Sequence, residues 1–206
     1  MRTSLLFGSL LLVSLTAQAD ETATTESGKT VILKSDGRWE YAKSSGNPAT
    51  TQTSGKSYNR PATATARADL KKPGFEFFYV PDKWKPAKDE PGRLQFKHHS
   101  GDAYGLLIIE RISIPLSALK KIALDNARAV APDAKITFEE MRTVNGKKVL
   151  CLQMNGTIDS IPFSYYGYYY SNKQGVIQVL TYTSSNLLDE FKPDFEEFLA
   201  GLVPNS

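Results

Sequence analysis

The chain opens on a short, mainly apolar run over residues 5–15 and ends on apolar positions at helical spacing, Phe191, Phe195, Phe198, Leu199 and Leu202. Between them the rhythm changes several times. Val31-Ile32-Leu33, the turn Ser35-Asp36-Gly37 and Arg38-Trp39-Glu40-Tyr41 predict a short β-hairpin, with Asp-Gly supplying the positive φ of a tight turn. A lone two-stranded hairpin is marginal in water, so this one requires something to dock on. Residues 42–69 are mostly Ser, Thr, Gly, Ala, Pro and Asn with almost no large apolar side chain. Such a composition buries too little surface to offset ordering entropy and predicts a flexible linker.

The pattern of a packed domain begins near Leu70. Phe75-Glu76-Phe77-Phe78-Tyr79-Val80 predicts a strand stopped by Pro81, with Trp84 in the following turn. Leu94-Gln95-Phe96 alternates as a strand does, and Leu106-Leu107-Ile108-Ile109 reads as a strand covered on both faces. After Pro115, placed where a first helical turn tolerates it, Leu116, Leu119, Ile122, Ala123, Ala127 and Val130 form one apolar stripe of a helix. Asn145-Gly146 is the strongest hairpin signal and joins strands over 136–144 and 147–155. A second pair, 163–170 and 176–183, flanks residues 171–175. The final helix carries Pro193, expected to break or restart it. Strands, helix, antiparallel strands and helix together predict an α+β fold, an antiparallel sheet with helices packed on it.

The expected organisation is a signal peptide over 1–19, an N-terminal segment with the hairpin over 20–41, a linker over 42–69 and a domain over 70–206. Arg2, the apolar run and Ala17-Gln18-Ala19 form the three parts of a secretory signal, cleaved after Ala19. The run is shorter than the roughly 20 apolar residues a span needs, and the sole cysteine, Cys151, excludes lipid attachment at the cleavage site. The chain is thus expected in the periplasm, without a membrane anchor in its mature form. One cysteine makes no internal disulfide, so stability rests on the core. The formal charge of +3 comes from Lys and Arg scattered among Asp and Glu, without the stripe of a nucleic-acid footprint.

Gly74-Phe75-Glu76-Phe77, Val80-Pro81 and Trp84, the Asn145-Gly146 hairpin, the aromatic strand from Tyr165 to Tyr170 and the closing Phe195-x-x-Phe198-Leu199-x-x-Leu202 resemble the PsbP/Mog1-like α/β/α sandwich. The resemblance covers residues 70–203. It implies a non-enzymatic protein-binding domain and brings no catalytic motif. The N-terminal hairpin and linker lie outside it.

Candidate chemistry is sparse. His98-His99 would point to opposite faces of a strand and share a metal only from a loop, with Asp102 nearby and no further histidine. An exposed strand-end pair is the alternative. Any Ser-His-Asp or Cys-His site must use the same histidines, and Cys151 lies in an apolar strand where burial makes a thiol inert. The acid pairs Asp89-Glu90, Glu139-Glu140, Asp189-Glu190 and Glu196-Glu197 carry no signal of a raised pKa, and the last two pairs are expected on the solvated side of a helix. No phosphate loop or dinucleotide fingerprint occurs. No catalytic residue, metal or cofactor is therefore assigned.

The most unusual stretch is Tyr165-Tyr166-Gly167-Tyr168-Tyr169-Tyr170. Alternation puts Tyr166, Tyr168 and Tyr170 on one face, Tyr165 and Tyr169 on the other. Either the rings pack beneath helices, or at least one of Tyr166, Tyr168 and Tyr170 is exposed and, with Trp84, contributes a binding surface. The expected role is an accessory protein that binds a protein partner. A small-ligand or glycan binder using the tyrosine face is the first alternative, and an enzyme of unrecognised type the second.

Overall fold

The computed structural model describes residues 21–24, 30–34, 39–41, 52–71 and 74–205. They divide into two units at Thr50/Thr51. In the first, β1 (Glu21–Thr24), β2 (Thr30–Leu33) and β3 (Trp39–Tyr41) form an antiparallel sheet in that order. Val31 lies opposite Tyr41 and Leu33 opposite Trp39, so the expected hairpin pairs as read. Its Asp-Gly turn, residues 1–19 expected as a signal peptide and residues 42–51 of the expected linker lie outside the described residues.

The second unit starts well before Leu70, which corrects the linker assignment. β4 (Gln52–Tyr58) is an edge strand of the main sheet, and β5 (Ala66–Arg67) pairs with β6 (Phe75–Tyr79). Ala64 and Ala68 are buried, and the Ala68 N–H donates to the Phe77 carbonyl at 2.9 Å. An edge strand is held by backbone hydrogen bonds and exposes most of its side chains, so a polar, small-residue segment can fill it. Composition reports the missing apolar face and not the backbone pairing.

The main sheet has eight strands in the order β4-β10-β11-β12-β13-β9-β8-β7. They are β7 (Trp84–Glu90), β8 (Arg93–His98), β9 (Ala103–Glu110), β10 (Lys135–Val144), β11 (Lys147–Ile158), β12 (Ile161–Asn172) and β13 (Gly175–Ser184). All neighbours are antiparallel except β4 and β10. Asn145 and Gly146 both take positive φ, 46° and 79°, as the two-residue hairpin demands. The helices are α1 (Leu116–Val130) and α2 (Leu188–Leu199), and β14 (Leu202–Pro204) joins β6 and β5 in a second, three-stranded sheet. This is the expected α+β class.

Pro193 does not break α2. Both Pro193 and Asp189, whose carbonyl loses its helical donor, are exposed, so water replaces the missing bond. Leu202 leaves the helix for β14. On α1 the buried stripe is narrower than expected. Leu119, Ala123 and Ala127 are buried while Ile122 and Val130 are 38% and 59% exposed.

Each face of the sheet has its own core. The inner face carries Phe96, Leu107, Val149, Cys151, Ile177 and Val179 beneath α2 and β6. Gly105 is needed there, because a Cβ would stand 2.7 Å from the Phe198 ring. The outer face carries Leu150, Leu152, Met154, Tyr169 and Leu180. It meets α1 through Leu119 and the small Ala123 and Ala127, and α1 lies chiefly over β11 and β12.

Candidate functional site

The tyrosine strand divides as alternation requires, but the side expected to offer a surface is the more deeply buried. Tyr166 and Tyr168 are 0% exposed and belong to the inner core, and Tyr170 is half-buried against Phe75 with ring centres 6.1 Å apart. Trp84 is likewise no surface residue. It begins β7 and is 1% exposed, its ring 4.4 Å from that of Phe198 and 4.9 Å from that of His98. These corrections have one cause: α2 and the small sheet lie over the inner face, and rings of this size fill the space between the layers.

What the inner tyrosines do is satisfy a buried cation. Arg142, on β10, is 5% exposed, and its Nε donates to Glu140 at 2.5 Å and its Nη1 to the Tyr168 hydroxyl at 3.2 Å. Glu196 of α2 lies 3.4 Å from Nη1 and accepts the Tyr166 hydroxyl at 3.0 Å. Glu196 thus does more than face solvent, as the acid pairs of α2 were expected to. Burial raises the pKa of both Tyr166 and Tyr168, keeping the phenols protonated, Tyr166 as a donor to Glu196 and Tyr168 as an acceptor from Arg142. Burial also pushes the Cys151 thiol up to about 11, against the opposing pull of Arg142. Cys151 is a buried free cysteine among apolar strands, as its sequence position indicates. This cluster is built to stay closed.

His98 is 9% exposed, which corrects the strand-end pair, while His99 is exposed. Its Nδ1 meets the Ser100 hydroxyl at 2.8 Å and its Nε2 lies 3.4 Å from Asp194, which accepts from Lys83 at 2.6 Å. Ser, His and Asp stand in relay order. The Ser100 contact, however, spans two residues and closes the turn in which Gly101 N–H donates to the His98 carbonyl at 3.0 Å. Burial lowers the His98 pKa despite the opposing pull of Asp194. Among the described residues no three His, Cys, Asp or Glu side chains are gathered to hold a metal.

The exposed aromatic chemistry is on the outer face. Register places Tyr165 on β12 opposite Tyr182 on β13, and Tyr182 opposite Tyr104 on β9. Tyr104 and Tyr182 stack at 5.2 Å with 16° between their planes, and Tyr165 lies 5.6 Å from Tyr182. The row continues into cations. Lys97 pairs with Tyr104 and holds its Nζ 5.9 Å from that ring, and Lys85 lies opposite Lys97. All three tyrosines are half-buried, and Leu106 and Ile108 beside them are too. Alongside α1, this end of the sheet presents aromatic and aliphatic surface edged by Lys97, Lys85 and Arg93.

Sequence reading found Tyr165 and missed Tyr104, Tyr182 and Arg142. The turn bounded by Asn172 and Gly175 alone places Tyr165 against Tyr182, so half of the ladder was available from hairpin register. Tyr104 joins through a pairing between strands far apart in sequence, which no local pattern signals.

Searches against protein-family models and curated proteins find no match. Solved structures do match. The cyanobacterial PsbP protein of Synechocystis sp. PCC 6803 is 16% identical with a TM-score of 0.51, covering 70% of this chain and 95% of its own. The Saccharomyces cerevisiae Ran-binding protein Mog1p is 5% identical, TM-score 0.49, over 68% of this chain and 94% of that one. A Pseudomonas aeruginosa protein of unknown function, described as a putative regulator, is 13% identical, TM-score 0.49, over 60% and 99%. The fold is PsbP/Mog1-like.

Proposed function

We propose that the protein is an exported, periplasmic, non-enzymatic accessory protein that binds an acidic segment of a partner protein across the Tyr165–Tyr182–Tyr104 ladder. The observation that carries this reading is the ladder itself, three aligned, half-exposed rings leading into Lys97 and Lys85. Tyrosines offer a large, rigid contact area at low entropic cost, and a flanking row of cations selects acidic partners. Export is supported by Arg2, the apolar run over 5–15 and Ala17-Gln18-Ala19. Among the described residues no helix is long and apolar enough to cross a membrane. The fold it shares with a PsbP protein is compatible with an accessory role.

The test compares capture from periplasmic extract by the mature wild-type protein with capture by Tyr104→Ala/Tyr182→Ala. Ile161→Ser, at an exposed apolar residue elsewhere, is the control. The reading expects a partner retained by wild type and control, released by salt and lost by the double variant. It also expects the double variant, though less stable for the loss of two half-buried rings, to melt cooperatively and to be folded at the temperature of capture. Identical capture by all three proteins sinks it.

A further inference from the structure

Beside the ladder, a cavity of about 330 Å³ opens between the C-terminal half of α1 and the outer face of the sheet. Ala123 and Ala127 create it. Their short side chains face the sheet where larger residues would close the gap. Its walls are mostly apolar, including Leu106, Ile108, Met154, Val130 and Leu180, with Asn126 of α1 among the polar exceptions, and its volume lies in the range of small-molecule sites.

Two polar groups in its lining have no structural use. Gln178 is 4% exposed, yet its side-chain amide makes no hydrogen bond to any described residue. Tyr169 is 1% exposed and its phenol is likewise unbonded, held protonated by burial. Both side chains line the cavity, where a ligand would meet them. They are also neighbours, since register aligns Tyr169, Gln178, Ile108 and Arg93 in one row across β12, β13, β9 and β8. Arg93 is exposed at the cavity mouth and makes no ion pair. The acid opposite it, Glu90, is held by Lys88 at 2.6 Å. The row therefore runs from a buried phenol and amide, over an aliphatic side chain, to an exposed guanidinium.

We propose that this cavity binds a small monocarboxylate amphiphile. Its apolar chain lies beneath Ala123 and Ala127, and its carboxylate accepts from the Gln178 amide and pairs with Arg93 at the mouth. A neutral apolar ligand would leave Gln178 and Tyr169 unpaired, and a polyanion would bury charge against the apolar walls. The carboxylate amphiphile satisfies both ends. The cavity adjoins the partner-binding ladder at Tyr165, which lines it, whereas Tyr104 and Tyr182, the residues replaced in the capture test, do not.

Octanoate and its neutral counterpart octanamide are the probes, titrated calorimetrically into the full mature protein. Wild type should bind octanoate saturably at one site. Arg93→Gln should weaken octanoate about tenfold or more, the scale of a lost charge-assisted hydrogen bond, and leave octanamide nearly unchanged. Gln178→Leu should weaken both ligands and fold normally, since it removes an unbonded amide. Ala127→Phe should abolish binding by filling the cavity. If Ala127→Phe fails to fold, Gln178→Leu decides the matter. Absence of saturable octanoate binding to wild type, or equal affinity in wild type and Gln178→Leu, overturns the proposal. Partner capture by Gln178→Leu should match wild type, so failure here and failure of the ladder reading are distinguishable.

Discussion

The guanidinium carbon of Arg142 sits 4.4 Å from the centre of the Tyr58 ring. Arg142 belongs to the polar cluster of Glu140, Tyr168 and Glu196, and Tyr58 ends the edge strand β4. The contact ties a segment with the composition of a linker to the core. Asn145 reinforces it: the Asn145 N–H donates to the Tyr58 carbonyl at 2.9 Å, and its side-chain amide donates to the Leu202 carbonyl at 2.7 Å.

A fragment beginning at Leu70 should therefore be less stable than one beginning at Gln52. Losing a partly buried aromatic of phenylalanine size costs about 2 kcal/mol. For a domain of this length that lowers the melting temperature by roughly 4–8 °C. Calorimetry of the two fragments checks it, and equal melting would show that β4 and β5 add nothing to the fold.

Arg142→Ala should destabilise strongly. It leaves Glu140, whose side chain is 16% exposed, without its cation, and the Tyr168 hydroxyl without a donor. Removing one partner of a buried pair typically costs about 3–5 kcal/mol. Urea unfolding should show that loss as a lower midpoint with unchanged slope. Arg142→Lys should recover little, because an ammonium does not reproduce the planar fork between Glu140 and Tyr168.

Stability should fall on mild acidification through His98. Burial lowers its pKa in the folded protein below 6.5, outweighing the opposing pull of Asp194. The unfolded chain then takes up a proton that the folded one refuses. The contribution is intact above pH 6.5 and is lost as pH falls from there toward the folded-state value. Melting temperatures between pH 7.5 and 5 should decline for wild type and be flatter for His98→Gln. Parallel curves would remove His98 as the cause.

Cys151 should react slowly with a thiol reagent in the native protein and rapidly in denaturant. Burial leaves little thiolate at neutral pH, with the thiol pushed up to about 11, and encloses the sulfur between Tyr168 and Glu140, its neighbours in the sheet. Fast native labelling would show that the inner layer opens.

Local order along the chain is written in its residues. Period-two alternation separates Tyr166 and Tyr168 from Tyr165 and Tyr169, the Asn145-Gly146 turn sets β10 against β11, and apolar spacing marks α1 and α2. The α+β class follows from the order of those elements. Alternation says which side chains share a face but not which face a helix will cover. Hence the side of β12 expected to be open is the one beneath α2, and the open aromatic row needs Tyr104 and Tyr182 from other strands. β4 is invisible to hydrophobic pattern because backbone hydrogen bonds to β10 hold it. The cavity depends on α1 meeting the sheet at Ala123 and Ala127, over Gln178. Faces and turns are decided by neighbours a few residues apart, which a sequence displays. Coverage, edge pairing and cavities are decided by segments that meet only when the chain has folded.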